Sequence, residues 1–266
     1  MSTAPATPPA TRPCPVCEYA DPMGYNANYL RCPQCDAIYY FEIPTPEELT
    51  RVYSGDTLKR WKRKILAPFR KIHHRTKLDY DRARNGGIYR QIRHLAGVDG
   101  GRFLDIGCNR GFLLEAAMQD GWEVYGIEYS PEQIQPFLNS YPDTKGRVRA
   151  GEFGELAESL PDGHFQVVTA IDVIEHFLDP RPCMEEIFRL LEPGGRFVFQ
   201  TPSSKLADSV ADGPAWGELK PAEHMTLFDP ENLQTLATQI GFGEMTLAPE
   251  PFDHPRCNFV GVLPRP

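Results

Sequence analysis

Five short apolar runs follow one another from residue 102 onward, each separated from the next by a polar stretch with mostly helical periodicity. The runs are Arg102–Ile106, Glu123–Glu128, Arg147–Ala150, Phe165–Ile171 and Arg196–Gln200. This alternation is typical of βαβ units and predicts an α/β domain built on a parallel sheet. Two further runs, Glu244–Ala248 and Asn258–Leu263, are joined by a proline-rich connection, which predicts an antiparallel hairpin that completes the sheet.

The chain before these runs divides into three segments of different composition. Residues 1–13 are rich in Pro, Ala and Thr without periodicity, which predicts a disordered tail. Residues 14–43 hold paired cysteines, and residues 44–95 are predicted to form a basic helical linker or cap on the main domain, residues 96–266. Breaks in this helical segment are predicted at Ser54-Gly55, Pro68 and Asn85-Gly86-Gly87. Its apolar stripe consists of Ile65, Leu66, Phe69 and Ile72.

Charge is distributed unevenly along the chain. Fourteen lysines and arginines stand against three acidic residues between Arg51 and Arg93, whereas the 266-residue chain has a net charge of −8. Attraction to an anionic partner must therefore be local. The hydrophobic content of 41% excludes wholesale disorder, and the sequence shows neither a bilayer-spanning apolar run nor an apolar signal-peptide core. We therefore expect a cytoplasmic protein without a transmembrane segment.

Two CxxC pairs near the N-terminus have the spacing C-x2-C-x14-C-x2-C. Each pair presents two thiolates to one tetrahedral metal ion, and four sulfur ligands leave no open coordination position. The pattern predicts a structural zinc ribbon that folds on its metal, because about 30 residues hold too small a core of their own. Two redox CxxC sites are the alternative, but the βαβ context of such sites is missing. The predicted zinc ligands are Cys14, Cys17, Cys32 and Cys35.

A glycine-containing turn follows the first strand of the main domain. The segment Phe103-Leu-Asp-Ile-Gly-Cys-Asn-Arg-Gly111 predicts a buried strand with an acid near its end, then a tight turn, then a helix. Its spacing differs from the G-x-G-x-x-G of dinucleotide sites and suits a ligand without a pyrophosphate. It resembles D/E-x-G-x-G-x-G, the first motif of the class I S-adenosylmethionine methyltransferases, with Asn109 in place of the middle glycine. Because Asn tolerates a positive φ, the turn can still form.

The resemblance implies a Rossmann-like methyltransferase fold, whose seven-stranded sheet is mostly parallel, and S-adenosyl-L-methionine as cofactor. It assigns Glu128 to the ribose hydroxyls, Glu152 and Phe153 to the adenine, and Asp172 to the methionine end. In the same family, Glu192-Pro-Gly-Gly195 is the turn into the fifth strand. The cofactor-binding residues implied in this way are Asp105, Gly107, Cys108, Asn109, Gly111, Glu128, Tyr129, Glu152, Phe153 and Asp172.

Two segments are candidates for the acceptor side of the site: Asp172-Val-Ile-Glu-His176 after the fourth strand, and Pro221–Phe228. They resemble segments of the O-methyltransferases of ubiquinone synthesis and of enzymes that 2′-O-methylate small-RNA ends, which implies a second divalent ion. A catalytic histidine without metal and a purely structural role are the alternatives. We expect His224 to be the histidine most exposed to the substrate. The candidate catalytic residues, and ligands of that ion, are Asp172, Glu175, His176 and His224.

The predicted activity is S-adenosylmethionine-dependent methyl transfer to a small anionic acceptor, such as a sugar nucleotide, a glycan or a lipid-linked intermediate. O-methylation is the preferred form, although the sequence leaves N- and C-methylation open. The alternative is an RNA methyltransferase whose basic segment and zinc ribbon hold the phosphate backbone. Few aromatic residues in the basic segment and the acidity of the remaining chain disfavour RNA. An inactive binding protein on this fold is disfavoured because the acids Asp105, Glu128 and Asp172 are present.

Overall fold

The computed structural model describes residues 12–45, 47–48, 67–205, 214, 216–252 and 258–266, without the side chains of residues 67–76. The strands are β1 (Met23–Gly24), β2 (Tyr29–Arg31), β3 (Ile38–Tyr40), β4 (Arg102–Ile106), β5 (Glu123–Glu128), β6 (Val148–Ala150), β7 (Phe165–Ile171), β8 (Leu191–Pro202), β9 (Thr226–Leu227), β10 (Thr246–Leu247) and β11 (Asn258–Pro264). The α-helices are α1 (Ala67–Ala96), α2 (Phe112–Gln119), α3 (Pro131–Ser140), α4 (Phe153–Ala157), α5 (Pro180–Leu190) and α6 (Pro230–Ile240). Short 3₁₀ helices cover Pro142–Thr144 and Ile174–His176.

The larger sheet has seven strands in the order β10-β11-β8-β7-β4-β5-β6. Strands β6, β5, β4, β7 and β8 pair in parallel, whereas β11 is antiparallel to both β8 and β10. This arrangement confirms the predicted Rossmann-like sheet with its antiparallel C-terminal hairpin. The carboxyl ends of β4, β5 and β7 lie side by side, so the turns that follow them meet at one edge, where open α/β sheets bind ligands.

Several strand boundaries differ from the prediction. β8 already begins at Leu191 and so includes the predicted turn Glu192–Gly195, where Gly194 has φ 84° and donates its N–H to the carbonyl of Arg265 at 2.8 Å. This hydrogen bond to the C-terminal segment continues the sheet through the turn, so the strand is longer than predicted. At the other extreme, β10 has only two residues of the five predicted.

Helix α1 runs without a break through Asn85-Gly86-Gly87, so the predicted interruption there is wrong. Ile88, Tyr89 and Ile92 are buried on its inner face, and Tyr89 packs edge-on against Phe103 of β4. This burial outweighs the low helix propensity of two glycines, which is roughly 1 kcal/mol each. Pro68 is the second described residue of α1, so the chain before the break predicted there lies outside the described residues.

The smaller sheet has the order β1-β2-β3-β9 and joins the cysteine segment to the main domain. β3 pairs antiparallel with β9, with Ile38 opposite Leu227 and Tyr39 opposite Thr226. Cys14, Val16 and Cys32 belong to the same buried cluster as Phe177 and Phe228 of the main domain. The cysteine segment therefore shares both a sheet and a core with the methyltransferase-like domain.

The predicted features of the first 76 residues can be compared with the structure only in part. Residues 1–11, the Ser54-Gly55 break and the side chains of the apolar stripe lie outside the described residues. Arg12, which was predicted to be in the disordered tail, donates a hydrogen bond to the carbonyl of Leu178 at 3.1 Å. None of the helices in the described part of the chain combines the length and hydropathy needed to cross a membrane.

Candidate active site

The turn after β4 takes the left-handed backbone conformation at three positions: Gly107 (φ 73°), Asn109 (φ 48°) and Gly111 (φ 74°). A Cβ added at Gly107 would lie 2.5 Å from Val173 Cγ2, so this position has no space for a side chain. Asn109 adopts the conformation that the family motif assigns to glycine, as its short polar side chain allows. The turn therefore brings its backbone close to the end of β7, where Val173 lies.

A cavity of about 380 Å³ lies between this turn and helix α1. Its walls come from α1, from the turn and the start of α2, and from the end of β7. The lining residues are Lys77, Asp81, Arg84, Asn85, Asp105, Gly107, Cys108, Asn109, Arg110, Phe112, Leu113, Ile171, Asp172 and Val173. Five of the ten residues predicted to bind the cofactor line this cavity: Asp105, Gly107, Cys108, Asn109 and Asp172.

Asp105 is a buried carboxyl group at the floor of this cavity. Thr169 donates its hydroxyl to Asp105 Oδ1 at 2.7 Å. Burial raises the pKa of Asp105 to about 7, and the nearby charge of Glu128 adds to the increase, while the Thr169 hydrogen bond opposes it. A carboxyl group in this environment can titrate close to neutral pH.

We expect this carboxyl group to make stability depend on pH. The unfolded chain releases the Asp105 proton near pH 4, whereas the folded protein keeps it up to about pH 7. The folded state binds more protons in this window, so the free energy of unfolding should fall as the pH rises from about 4 to about 7. Asp105→Asn should flatten this decrease, measured by urea unfolding of the ligand-free protein at a series of pH values.

The matched control for that measurement is Asp143→Asn, which removes an exposed carboxylate and should leave the slope as in the native protein. The part of the slope due to Glu175, whose pKa burial raises to about 8, should remain in both variants. An unchanged slope in Asp105→Asn would show that Asp105 is ionised in the folded state throughout this range.

Glu128 ends β5 and holds the glycine turn in place. Its two carboxylate oxygens accept hydrogen bonds from the N–H groups of Asn109, at 2.8 Å, and of Ser130, at 2.9 Å. Each oxygen keeps acceptor capacity for a hydroxyl donor. Tyr129, the next residue, has 40% of its surface exposed. Neither residue lines the cavity, although Glu128 contacts the lining residue Asn109.

The two predicted adenine contacts lie in a different setting. Glu152 caps helix α4 and accepts a hydrogen bond from the N–H of Glu155 at 3.0 Å. The Phe153 side chain stacks on Phe177 with 5.8 Å between the ring centroids and belongs to the hydrophobic core. The structure therefore corrects the prediction that the Phe153 ring faces a ligand, because packing in the core covers it.

Asp172 has a strained backbone at the end of β7, with φ 56°. Its Oδ1 accepts hydrogen bonds from the side-chain amides of Gln200 and Asn258, both at 3.0 Å. Burial raises the pKa of this carboxyl group. Non-glycine residues held in the left-handed region cost free energy and are concentrated at functional sites.

Glu175, His176 and His224 form a cluster, and the first two of them follow Asp172 within four positions of the chain. One ligand atom from each lies within 4.8 Å of the others. Glu175 is buried and accepts a hydrogen bond from the Thr201 hydroxyl at 2.9 Å. The His176 and His224 rings meet edge to face, with centroids 4.8 Å apart. The structure thus brings together three of the four residues predicted to share an ion.

Asp172 is the exception, because its carboxylate is held by Gln200 and Asn258 and is outside the three-residue cluster. The four-residue cage predicted from the sequence is therefore corrected to Glu175, His176 and His224. His224, which was predicted to be the histidine most exposed to the substrate, is also more buried than His176. The His224 side chain is 3% exposed, against 21% for His176.

Both histidines are oriented by backbone carbonyls. His176 Nδ1 lies 2.9 Å from the carbonyl oxygen of Glu223, and His224 Nδ1 lies 2.8 Å from that of Glu218. Because a carbonyl oxygen only accepts, each Nδ1 carries the proton, and Nε2 becomes the basic nitrogen. Burial lowers the pKa of His224 to about 3, so its ring is neutral and a weak base. Buried neutral imidazoles with this second contact are typical of metal ligands.

The contribution of helix α1 to the cavity was not predicted from the sequence. Lys77, Asp81, Arg84 and Asn85 line one wall of it. Their spacing places them on one helical face, which is a signal that the sequence contains. Because the helix was predicted to break at Asn85-Gly86-Gly87, these four residues were not recognised as one continuous helical face.

The four predicted zinc ligands also converge. Cys14 Sγ lies 3.6 Å from Cys35 Sγ, Cys17 Sγ lies 3.5 Å from Cys32 Sγ, and all four sulfurs are within 4.8 Å of one another. Sulfurs bound tetrahedrally to zinc at 2.3 Å would be about 3.8 Å apart. The cluster is thus compatible with one zinc ion held by four thiolates, as the spacing predicts.

Comparison with known proteins agrees with this geometry. The family model described as a methyltransferase domain matches residues 80–244, more than half of the chain. The chain is 35% identical to a ubiquinone biosynthesis O-methyltransferase from Alkalilimnicola ehrlichii over 109 residues, which are 40% of this chain and 44% of that protein. It spans about half the length of the curated relatives it matches.

Solved structures show the same fold at low sequence identity. A SAM-dependent methyltransferase from Archaeoglobus fulgidus is 16% identical, with a TM-score of 0.51 and coverage of 66% of this chain and 92% of that one. A protein from Nostoc punctiforme PCC 73102 is also 16% identical, with a TM-score of 0.54 and coverage of 68% and 55%. With the family match, the glycine turn and the sheet order, the chain belongs to the methyltransferase domain family and has the class I methyltransferase fold.

Proposed function

We propose that this methyltransferase transfers a methyl group to a hydroxyl of a small anionic acceptor. The observation that carries the proposal is the convergence of Glu175, His176 and His224 immediately after Asp172 and Val173, which line the cavity. A hydroxyl acceptor must lose a proton as it attacks. A carboxylate and two imidazoles can assist that loss, either as bases or as ligands of a metal ion that binds the hydroxyl.

The cavity between α1 and the glycine turn suits S-adenosylmethionine. When bound, the cofactor supplies a sulfonium methyl group that is open to in-line attack, so catalysis depends mainly on positioning. Glu128 has acceptor capacity for the two ribose hydroxyls, and the left-handed turn at Gly107 lets the backbone come close to a ligand. Asp105 and Asp172 lie at the ends of neighbouring strands on the same edge.

The donor set of Glu175, His176 and His224 also suits a divalent ion. Two neutral imidazoles and one carboxylate are ligands of catalytic metal sites, where the ion acts as a Lewis acid toward a bound oxygen. The Glu223 and Glu218 carbonyls orient the two rings, and the Thr201 hydroxyl orients Glu175. His224 suits the role of ligand better than that of base, because its pKa is lowered to about 3.

Three cationic side chains in the cavity wall, those of Lys77, Arg84 and Arg110, support an anionic acceptor of small size. They stand beside three carboxyl groups of the same lining, those of Asp81, Asp105 and Asp172, so the attraction is local, and α1 closes the cavity on one side. Sugar nucleotides, glycans and lipid-linked intermediates have suitable charges. The name of the relatives, ubiquinone biosynthesis O-methyltransferase, supports a hydroxyl as the acceptor group.

The RNA alternative has less support from the described part of α1. Arg82 is paired with Glu115 at 2.6 Å, and Arg93 is paired with Asp99 at 2.9 Å and with Asp120 at 3.0 Å. These arginines neutralise acids of the same chain and are less able to hold phosphates. A phosphate-tracking surface needs a row of cations that face solvent.

Labelling an extract with methyl-labelled S-adenosylmethionine tests the proposed acceptor class. The purified enzyme should transfer label to a small molecule that mass spectrometry identifies as a methyl ether. Heat-inactivated enzyme is the control. Label found in RNA or protein, with none in the small-molecule fraction, would contradict the proposal.

A further inference from the structure

The cysteine segment is connected directly to the chain that carries His224. Tyr40 of β3 donates its N–H to the carbonyl of Met225 at 2.9 Å, and β3 continues along β9. His224 is the residue before Met225, so its backbone is held at the edge of the cysteine-containing sheet. The position of an imidazole on a short side chain depends on the position of its own backbone.

Tyr29 contacts His224 itself. It lies on β2, opposite Tyr40, and is fully buried. Its hydroxyl donates a hydrogen bond to the backbone carbonyl of His224 at 2.9 Å, in a buried environment. A buried hydrogen bond between residues 195 positions apart fixes one segment against the other.

The segment that carries His176 has contacts of the same kind. Arg12 donates to the carbonyl of Leu178 at 3.1 Å, and Arg181 donates to the carbonyl of Val16 at 3.2 Å. The two histidine segments are also bound to each other, since Met225 donates its N–H to the carbonyl of Glu175 at 2.7 Å. The cysteine segment therefore braces both sides of the cluster.

We propose that the four-cysteine zinc cluster is a positioning element for Glu175, His176 and His224, and that Tyr29 transmits its effect to His224. The role of these three residues in methyl transfer rests on the proposed function. The cavity assigned to the cofactor has no lining residue from the described part of the cysteine segment. Zinc thus supports the acceptor side of the site, and the cofactor side is independent of it.

Hydrogen exchange of the full chain, with zinc bound and after chelation, tests the first part of this proposal. Removing zinc releases β3, so the amides of residues 223–228 should exchange at least about tenfold faster. The amides of β4 and β5 should keep their protection, and calorimetry should show unchanged S-adenosylmethionine affinity. Unchanged exchange at residues 223–228 after complete zinc removal would overturn the proposal.

Tyr29→Phe tests the second part, because it removes one hydroxyl and keeps the aromatic ring. Tyr40→Phe is the matched control, since its hydroxyl contacts Glu42 at 2.9 Å and not His224. Both variants should hold one zinc per chain. In histidine-labelled protein, the His224 ring signals should change in Tyr29→Phe and stay native in Tyr40→Phe, while the His164 signals stay native in both.

The catalytic consequence should be a decrease in kcat of about two- to tenfold in Tyr29→Phe, the equivalent of one hydrogen bond. Cofactor affinity should not change. Native His224 signals in Tyr29→Phe would overturn the positioning role of Tyr29. The exchange and ring-signal measurements need no acceptor, so they remain interpretable if the proposed acceptor class is wrong.

Discussion

Replacing His224 by alanine is expected to lower turnover by about 10²–10⁴-fold while leaving S-adenosylmethionine affinity unchanged. The imidazole lies within 4.8 Å of the ligand atoms of Glu175 and His176, and its Nδ1 proton is held by the Glu218 carbonyl. Its loss removes one basic nitrogen from the cluster and leaves the other two donors in place. Steady-state kinetics on the identified acceptor and calorimetry with the cofactor measure the two effects separately.

The control for this variant is His94→Ala, which removes an exposed histidine of helix α1. Because His224 is buried, His224→Gln serves as a second variant that keeps more of the side-chain volume, and circular dichroism reports whether both variants fold. Chelation, return of one zinc per chain to the four-cysteine cluster, and then addition of Mn²⁺ separate two roles. Turnover that returns only with Mn²⁺ supports a divalent ion on Glu175, His176 and His224, whereas full turnover before Mn²⁺ is added excludes that ion. Near-native turnover in both His224 variants would remove His224 from the mechanism.

Replacing Glu128 by alanine should lower S-adenosylmethionine affinity by about 10- to 150-fold. Hydrogen bonds to a charged group contribute about 1.5–3 kcal/mol, and 1.4 kcal/mol corresponds to a tenfold change. Glu128 also accepts the N–H of Asn109, so its loss loosens the turn that forms the cavity. Calorimetric titration of the cofactor measures the change.

Glu123→Ala is the matched control, because Glu123 lies at the other end of β5 and is paired with Arg147 at 3.0 Å. It removes one carboxylate from the same strand and should leave cofactor affinity native. Native affinity in Glu128→Ala would exclude Glu128 from the cofactor site.

Much of the sheet could be predicted because its strands are buried on both faces and read as separate apolar runs. Three of the seven predicted strands, β4, β5 and β7, have the boundaries expected from the sequence. The cysteine cluster was equally predictable, since its ligands come in pairs with fixed spacing. These signals are local, and local signals are the ones that a single sequence expresses clearly.

The features that were missed depend on contacts between distant segments. The continuity of α1 through Gly86 and Gly87 comes from burial of Ile88 and Tyr89, which residue propensity does not reveal. The burial of His224 results from its position beside β9, which pairs with β3 almost 190 residues earlier. Asp172 is not part of the cluster with Glu175, His176 and His224, because its carboxylate accepts hydrogen bonds from Gln200 and Asn258, which come later in the chain.

The position of the bound cofactor is the most direct test of the account. A crystal structure of the protein with S-adenosylhomocysteine should show the ligand in the cavity between α1 and the turn after β4. Its ribose hydroxyls should lie about 2.5–3.0 Å from the Glu128 carboxylate, and its sulfur should face the end of β7 at Asp172. A ligand bound outside this cavity, or a ribose without contact to Glu128, would contradict the account.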